Sequence, residues 1–331
     1  MKKIISLTIA VLMLVSMLAG CGSSNEQPAA PAASAEATVY NVGIIQLVTH
    51  DALDAATQGF MDALTAELGE GNVKFDLQNA AGDSNTCATI VNSFVSNEVD
   101  LIMANATPAV AAAYNATETI PILGTSVTEY GVALGIENFS GTVGANVSGT
   151  SDLADLAKQA QMVIDWCPDA KNVALLYCSA EPNSKYQIEE VQKILEGKGL
   201  NCKQFDFADT SVLMSVTQAA ASFADVIYVP TDNTVANNAT AIDSICRPAG
   251  IPIIAGEAGV CAGCGIATLS IDYYDLGYAT GKMAVRILKD GADITKMPIE
   301  YAPEVSYLYN EEICKELNIT PLAGYNKLVT E

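Results

Sequence analysis

Short runs of β-branched and other apolar residues alternate along this chain with longer segments whose apolar positions recur every three or four residues. Such alternation is typical of parallel sheets covered by helices. In the first helical segment, Phe60, Leu64 and Leu68 share one face. In the first half of the chain the pattern predicts strands at 39–47, 73–78, 100–104 and 120–123, and helices at 52–68, 85–96 and 108–116.

The second half of the chain repeats this order. Asp100-Leu-Ile-Met followed by Ile120-Pro-Ile-Leu is echoed by Asp225-Val-Ile-Tyr followed by Ile251-Pro-Ile-Ile. The echo predicts an α/β protein with two lobes of like topology, each built on a doubly wound parallel sheet. The predicted strands of the second half are 172–177, 202–207, 225–229 and 251–254, and the predicted helices are 184–195, 212–222 and 233–247.

The chain must pass between these two lobes. The polar segment 149–152, ahead of a predicted helix at 153–166, is the first candidate hinge. If the later helix at 274–289 returns to the first lobe and a strand at 305–309 to the second, three crossovers result, and such a hinge favours one closure axis. The remaining predicted elements are a strand at 266–271 and a helix at 311–317. The expected division is a first lobe of 39–150 with 273–295, a second lobe of 151–272 with 296–319, and a tail of 320–331.

The beginning of the sequence has the order of a secretory signal. Met1-Lys2-Lys3 precedes an apolar run at 4–19, and Gly20-Cys21 follows it. The alternative, a transmembrane anchor, needs ~20 apolar residues, and this shorter run also contains hydroxyl residues. The small residues before Cys21 resemble a bacterial lipobox, so a signal peptide at 1–20 and lipidation of Cys21 are expected, with membrane attachment through the lipid. The polar, Pro-containing segment 21–38 is predicted to be a flexible tether.

Composition and motifs narrow the function. A formal net charge of -22 argues against nucleic acid as a partner. The sequence has no Gly-x-Ser-x-Gly elbow, no Gly-rich phosphate loop and no His-Glu-x-x-His helix, and it contains one histidine. A protein without catalytic activity, cofactor or metal is therefore expected.

Cysteine usage leaves the redox state open. Cys178 is predicted to end one strand and Cys202 to begin the next, a separation too long for a disulfide between parallel neighbours. Cys261 and Cys264 could form a local disulfide, supply half of a metal site, or remain buried thiols. Apart from Cys21, the cysteines are Cys87, Cys167, Cys178, Cys202, Cys246, Cys261, Cys264 and Cys314.

Four segments resemble a known family. They are Gly43-Ile-Ile-Gln-Leu-Val-Thr-His-Asp-Ala-Leu-Asp-Ala-Ala56, Thr107-Pro108, Tyr228-Val-Pro-Thr-Asp-Asn-Thr-Val-Ala236 and Ile271-Asp-Tyr-Tyr-Asp-Leu-Gly277. Over 39–319 the chain resembles the bacterial ABC-transporter substrate-binding proteins related to tryptophan and tyrosine receptors. It departs from that family at Asp51, where Pro is more frequent, and in the extra cysteines around Cys261.

The resemblance implies a type I periplasmic-binding fold and an importer with ABC permease and ATPase subunits as partner. It also implies a receptor on the extracytoplasmic face of the membrane for an aromatic or related amino acid, bound between the lobes by hinge closure. A receptor for a nucleoside, sugar or other neutral solute is the alternative within this class. A ligand sensor for a membrane signalling partner is an alternative outside it.

Ligands of parallel α/β sheets bind beyond the carboxyl ends of the strands, where loops and helix N-termini carry polar groups. The first lobe offers Gln46, Thr49, His50, Thr107, Ser126 and Thr128 there. The second lobe offers Asn183, Ser184, Thr231, Asp232, Asn233, Glu257 and Asp272. Each of these could instead cap a helix, and for Thr107 before Pro108 capping and binding are equally expected. His50 could contact ligand or lie as a satisfied polar residue at the cleft edge.

The chemistry of these loops favours a zwitterion. Both arginines, Arg247 and Arg286, are predicted on helices away from the loops, which argues against phosphate, sulfate or di-acid ligands. Hydroxyls and helix N-termini can hold a carboxylate, and an acid among Asp232, Glu257 and Asp272 can hold an ammonium. Tyr130 and Tyr273 could line an aromatic side chain or serve as packing residues.

Overall fold

The computed structural model describes residues 38–302 and 304–329 and arranges them around two separate sheets. The expected signal peptide, Cys21 and the tether up to residue 37 lie outside the described residues. Every helix in the described part is too short or too polar to span a lipid bilayer.

The elements alternate between strands and helices for most of the chain. The strands are β1 (Tyr40–Gln46), β2 (Val73–Asn79), β3 (Leu101–Asn105), β4 (Ile122–Val127), β5 (Val147–Ser151), β6 (Asn172–Cys178), β7 (Asn201–Phe207), β8 (Val226–Val229), β9 (Ile253–Ala255), β10 (Ala267–Ile271), β11 (Glu300–Tyr301), β12 (Val305–Tyr309) and β13 (Asn326–Lys327). The helices are α1 (Asp51–Leu68), α2 (Ser84–Ser96), α3 (Thr107–Ala116), α4 (Tyr130–Leu134), α5 (Leu156–Trp166), α6 (Pro182–Gly197), α7 (Leu213–Phe223), α8 (Asn233–Ala236), α9 (Ala239–Cys246), α10 (Ala258–Gly263), α11 (Tyr273–Leu288) and α12 (Glu311–Glu316). Two 3₁₀ turns lie at Thr210–Val212 and Ile294–Lys296.

Each sheet is the centre of one lobe. The first has the order β11-β5-β4-β3-β1-β2 and is parallel throughout, and the second has the order β13-β12-β10-β9-β8-β6-β7. Only β12 pairs antiparallel, with β10. Both sheets bury apolar residues on two faces: in the first, Ile44 packs with Phe60 on one face and Ile45 with Phe94 on the other. The predicted two-lobed α/β architecture is confirmed.

Close packing of α1 on α11 fixes a late segment to the first lobe. Gly277 and Gly281 of α11 lie against the backbone of α1, and a Cβ on Gly277 would stand 1.9 Å from the Ala56 carbonyl oxygen. The absence of side chains at these glycines allows the helix axes to approach. The helix that follows the second lobe's β10 therefore belongs to the first lobe, as the sequence pattern suggested.

The third passage between the lobes lies later than expected. Ile294 and Met297 pack into the first lobe's core, and Glu300 of β11 pairs with Thr150 of β5. The chain reaches the second sheet only with β12, so it crosses after β11 and not at residue 296. The sequence pattern did not predict β11, because a strand of two residues is too short to show alternation of apolar and polar side chains.

Two further local expectations were wrong. Residues 149–151 do not form a hinge loop; they belong to the buried strand β5, and the first crossing follows that strand. The predicted helix at 233–247 is divided into α8 and α9. At the break, the Asn238 side chain donates to the Thr234 carbonyl oxygen (2.7 Å), and this local bond competes with continued helix.

All eight cysteines after Cys21 are free thiols. Cys202 pairs with Val173 at one end of β6, whereas Cys178 lies at the other end opposite Phe207, which confirms that this pair is too far apart to bridge. Burial raises the pKa of both thiols to about 11. Cys261 lies within α10 and Cys264 directly follows that helix; both are buried and no disulfide joins them. Within 38–302 and 304–329, no cluster of three or more histidine, cysteine or acidic side chains has the arrangement of a metal site.

A candidate ligand site between the lobes

Two cavities lie where the carboxyl ends of the strands of the two lobes face each other. The inner cavity has a volume of about 10 Å³, room for about one water molecule. The outer cavity has a volume of about 360 Å³ and lies between Leu47 and Pro108 of the first lobe and Glu181 and Thr234 of the second, with Asn233 in the walls of both. The inner cavity is lined by His50, Leu53, Asp152, Thr231, Asp232, Asn233, Ala236, Glu257 and Tyr273.

Asp152 follows β5 directly and is 4% exposed. The Tyr273 hydroxyl donates to Asp152 Oδ2 (3.1 Å), whereas Oδ1 has no hydrogen-bond partner among the described residues. Burial raises the pKa of this carboxyl from 3.8 to about 6, and the neighbouring Thr128 and Tyr273 side chains offset the rise only in part. A buried carboxylate with one open oxygen is costly unless a cationic donor faces it.

The Glu257 carboxylate caps the short helix α10. Its oxygens accept from the backbone N–H groups of Gly259 (2.6 Å) and Val260. Burial raises the pKa of Glu257, and the neighbouring His50 opposes that rise. Its negative charge contributes to the potential in the inner cavity, although both oxygens already accept hydrogen bonds.

The carboxylate oxygens of Asp232 also accept hydrogen bonds from backbone N–H groups. Oδ2 accepts from the N–H of Cys178 (2.7 Å) and Oδ1 from the N–H of Val235 (2.8 Å), so the side chain ties β6 to the start of α8. Burial, and then the nearby Glu181 carboxylate, raise the pKa of Asp232 well above its ordinary value. Asp232 is one of the three acids from which we expected a partner for a ligand ammonium, but both of its oxygens accept from backbone N–H groups.

Two hydroxyls of the first lobe are buried and unpartnered. Thr107 is 2% exposed and Ser126 is 5% exposed, and neither side-chain oxygen has a partner in the described chain. They belong to neighbouring chain segments, because Asn105 of β3 pairs with Thr125 of β4. Ala106 and Ser126 have φ angles of 94° and 54°, a conformation that costs non-glycine residues about 1–3 kcal/mol each. Strain at adjacent buried loops is a mark of functional sites.

Some expected contacts point elsewhere. The Gln46 amide bonds the Val48 carbonyl oxygen (2.9 Å) and Thr57 Oγ1 (2.7 Å) within the first lobe. Thr49 is exposed and accepts from Asn79 (2.9 Å). Asp272 is exposed and caps α11 through the Asp275 N–H (3.0 Å), so its neighbour Tyr273, not Asp272, lines the inner cavity.

Other expected residues support the second lobe's loop. Asn183 Nδ2 (3.2 Å) and Ser184 Oγ (3.5 Å) lie against the Thr231 carbonyl oxygen and hold this loop at the cavity. Thr128 is buried beside Asp152. The cavity itself therefore gathers His50, Thr231, Asp232, Asn233 and Glu257 from the expected set.

The sequence pattern missed two acids at the site. Asp152 was assigned to a hinge, although a polar residue directly after a buried strand is a usable signal. Glu181 lies at the start of α6, is buried, and accepts from Asn233 Nδ2 (2.7 Å) and the Thr234 N–H (2.8 Å). Nothing in the neighbouring sequence indicates that Glu181, which directly precedes α6, accepts hydrogen bonds from the first residues of α8.

Comparison with known proteins gives consistent matches. The family model described as ABC transporter substrate binding protein matches residues 41–323. A tyrosine-binding protein of Clostridioides difficile is 35% identical over 333 residues, covering 98% of this chain and 95% of the relative. The type I periplasmic-binding fold expected from the resemblance is confirmed.

Two solved structures differ in how well their lobes superpose on this chain. The ABC domain from Streptococcus pneumoniae in complex with L-Trp has a TM-score of 0.84 at 31% identity, covering 88% of this chain and 100% of that one. The ligand-free, open structure of a substrate-binding protein with adhesive properties from Clostridium difficile has a TM-score of 0.67 at 35% identity, with the same coverage. The structure of this chain is therefore closer to that of the L-Trp complex than to the open structure.

Proposed function

We propose that this chain, which belongs to the family of ABC transporter substrate-binding proteins, is the receptor of an importer for an aromatic amino acid or a close analogue. The family consists of receptors that work on the extracytoplasmic side of the membrane. The observation that carries the ligand class is the open Oδ1 of buried Asp152 at the inner cavity, together with the unpartnered, buried hydroxyls of Thr107 and Ser126 in the first lobe. The carboxylate oxygen can accept from an ammonium group and the two hydroxyls can donate to a carboxylate, so these groups together suit a zwitterion.

The ammonium group lies at Asp152 in this proposal. It supplies the donor that Oδ1 lacks and the positive charge that makes the buried carboxylate favourable. Glu257 and Asp232 lie nearby, but backbone N–H groups already donate to the oxygens of both carboxyl groups. Asp152 is therefore the acid that gains most from a cation.

The carboxylate group lies at Thr107 and Ser126. Their hydroxyls can donate to it, and Thr107 begins the ten-residue helix α3, whose N-terminal dipole favours an anion. A phosphate ester fits less well, because the arginines lie elsewhere and are paired: Arg247 with Asp243 and Arg286 with Glu300. The site thus favours a single negative charge held by neutral donors.

The relatives support an aromatic side chain. One that is 35% identical is named for tyrosine binding, and a 31% identical structure holds L-Trp. The inner cavity of about 10 Å³ is too small for any amino acid, so the lobes must separate for entry and the lining must move to accommodate the ligand.

The partners in this proposal are an ABC permease and its ATPase, which receive the loaded protein. We also propose that a lipid on Cys21 holds the chain at the extracytoplasmic face of the cell membrane, since Cys21 follows an apolar run and precedes a polar tether. Attachment keeps the receptor close to its permease and raises the effective concentration of the pair.

A thermal-shift panel tests the ligand class. L-tryptophan, L-tyrosine and L-phenylalanine are compared with nucleosides, sugars and phosphate esters on the purified protein. A matching amino acid raises the melting temperature in proportion to the logarithm of its concentration, because it binds only folded protein. A shift with a sugar or nucleoside and none with any amino acid would replace the proposal by the neutral-solute alternative.

A further inference from the structure

One side-chain hydrogen bond crosses the cleft beside the inner cavity. His50 precedes α1 in the first lobe and Asn233 begins α8 in the second, and His50 Nε2 lies 3.2 Å from Asn233 Oδ1. This contact forms only when the lobes are together. Its strength depends on which end of the Asn233 amide faces the imidazole, because an amide oxygen accepts whereas an amide nitrogen donates.

Glu181 fixes that orientation. Its Oε2 lies 2.7 Å from Asn233 Nδ2, and a carboxylate accepts hydrogen bonds without donating any. The nitrogen end of the amide must therefore face Glu181, which leaves Oδ1 toward His50. The carboxylate is itself held by further donors, namely Asn183 Nδ2, the Asn233 N–H, the Thr234 N–H and Thr234 Oγ1.

The fixed amide determines the state of His50. Since Asn233 Oδ1 can only accept, His50 Nε2 must carry the hydrogen, and Nδ1 of the neutral ring then has a bare lone pair. Nδ1 is buried and has no partner among the described residues, in a side chain that lines the inner cavity. The same cavity is lined by Asp152, whose Oδ1 is likewise unpartnered. Two open acceptors at one small cavity suit a group with several N–H donors.

We propose that Glu181 is a positioning residue: it sets Asn233 as the acceptor half of an interlobe latch, and the latched His50 offers Nδ1 as a second acceptor for the ligand's ammonium group. The ammonium then donates to both Asp152 Oδ1 and His50 Nδ1. This assignment rests on the proposed function for its ligand. The orientation of Asn233 by Glu181 lies wholly within the second lobe and does not depend on any ligand.

The single histidine makes the latch directly measurable. In full-length protein labelled with ¹⁵N-histidine and saturated with L-tyrosine at pH 8, we expect a protonated Nε2 and a bare Nδ1. Glu181→Gln frees the Asn233 amide to rotate, and the spectrum should change to mixed tautomers. A bare Nε2 in the wild type, or an unchanged spectrum in Glu181→Gln, would overturn the proposal.

A double-mutant cycle separates positioning from general support of the fold. Glu181→Gln and His50→Ala should each weaken L-tyrosine binding by roughly two- to tenfold, the effect of about one hydrogen bond. If Glu181 acts through Asn233 on His50, the double variant should be no weaker than His50→Ala alone. Additive losses would contradict the latch. Glu189→Gln, the same exchange at an exposed position of α6, is the control and should leave affinity unchanged.

Failure of the ligand assignment can be recognised separately. In the ligand-free protein, the Asn233 side-chain amide should exchange its hydrogens slowly in the wild type and faster in Glu181→Gln, because its contact with Glu181 does not require closure. If no amino acid binds but this protection is present, the proposed ligand is wrong while the positioning by Glu181 stands. If the amide is unprotected in the wild type, the positioning role is wrong whatever the ligand.

Discussion

The Tyr273 hydroxyl donates a 3.1 Å hydrogen bond to Asp152 Oδ2 and so joins two segments that pass between the lobes. Asp152 begins the first passage, directly after β5, and Tyr273 begins α11 after the return from β10. The bond leaves Oδ1 open at the inner cavity. The hinge and the proposed ammonium site therefore share one carboxylate, and its replacement should reveal how binding depends on it.

Asp152→Asn should weaken amino-acid binding by roughly ten- to a hundredfold, since a charge-assisted hydrogen bond contributes about 1.5–3 kcal/mol. The protein should still fold, because the amide has the same shape, and above about pH 6 the variant also lacks the cost of a buried charge. Titration calorimetry with L-tyrosine and L-tryptophan measures the change. Asp272→Asn is the matched control, since that acid is exposed and caps α11; wild-type affinity in Asp152→Asn would remove Asp152 from the site.

Stability should fall as pH rises through the range in which Asp152 ionises. The pKa of Asp152 is raised from 3.8 to about 6 by burial, so the folded protein binds more protons than the unfolded chain between these values. The destabilisation is absent below about pH 4 and complete above about pH 6. Chemical denaturation of the ligand-free protein at several pH values measures it, and Asp152→Asn should show a smaller fall; equal pH profiles would contradict the assignment. The residual slope should have the same sign, because burial also raises the pKa of Glu257 and Asp232.

Ligand affinity should have the opposite dependence on pH. An ammonium needs ionised Asp152, so binding should strengthen as pH rises through about 6. Calorimetry between pH 5 and 8 should therefore show weaker binding at the acidic end for the wild type and a flatter profile for Asp152→Asn. Stronger binding at the acidic end would exclude a charge pair at this position.

Ser126 allows its hydroxyl and its backbone strain to be separated. Ser126→Ala and Ser126→Gly both remove the hydroxyl and should weaken binding to a similar degree. Only glycine relieves the φ of 54°, so Ser126→Gly should be more stable than Ser126→Ala by about 1 kcal/mol. Calorimetry and denaturant unfolding on the two variants give both quantities; unchanged affinity in both would exclude the hydroxyl from ligand contact.

Gly277→Ala should destabilise the first lobe. The added Cβ would meet the Ala56 carbonyl oxygen at 1.9 Å, and separating α1 from α11 to relieve it should cost about 1–3 kcal/mol. Gly197→Ala, in the last turn of α6 with no atom near the new Cβ, should be neutral or slightly stabilising. Urea unfolding compares them, and equal stabilities would contradict the close packing of the two helices.

Cys21→Ser should release the protein from the membrane fraction, because lipid attachment requires the thiol. Cell fractionation with an antibody to the mature chain detects the change. A variant that stays as firmly bound as the wild type would show that the anchor lies elsewhere in the chain.

The architecture could be read from the sequence because its strands and helices have strong periods, and the two halves repeat one order. The pattern missed β5, because most side chains of Val147-Ser-Gly-Thr-Ser151 are small or polar. The strand is buried only through its pairing with β4 and its packing against neighbouring elements of the first lobe. The break after Ala236 was missed because the competing bond from the Asn238 side chain is a local detail of geometry. Periodicity cannot report either effect.

For the site, the sequence could predict which loops lie together but not which side chains in them remain open to a ligand. His50, Asn233 and Glu257 follow from the positions of strand ends, and the structure brings them to one cavity. Which acid retains an open oxygen depends on tertiary donors: backbone N–H groups satisfy Asp232, whereas Asp152 has one donor for two oxygens. Sequence position alone assigns the same chemistry to both residues.

The seating of α11 on α1 has a consequence for biosynthesis. The apolar face of α1, near the start of the first lobe, finds its helical partner only when Tyr273–Leu288 has been made, and β11 completes that lobe's sheet later still. The second sheet in turn waits for β12. Neither lobe can reach its final core while the ribosome holds the last third of the chain. If the predicted signal peptide directs export, this delay is useful, because the chain then reaches the translocation machinery before either lobe has folded.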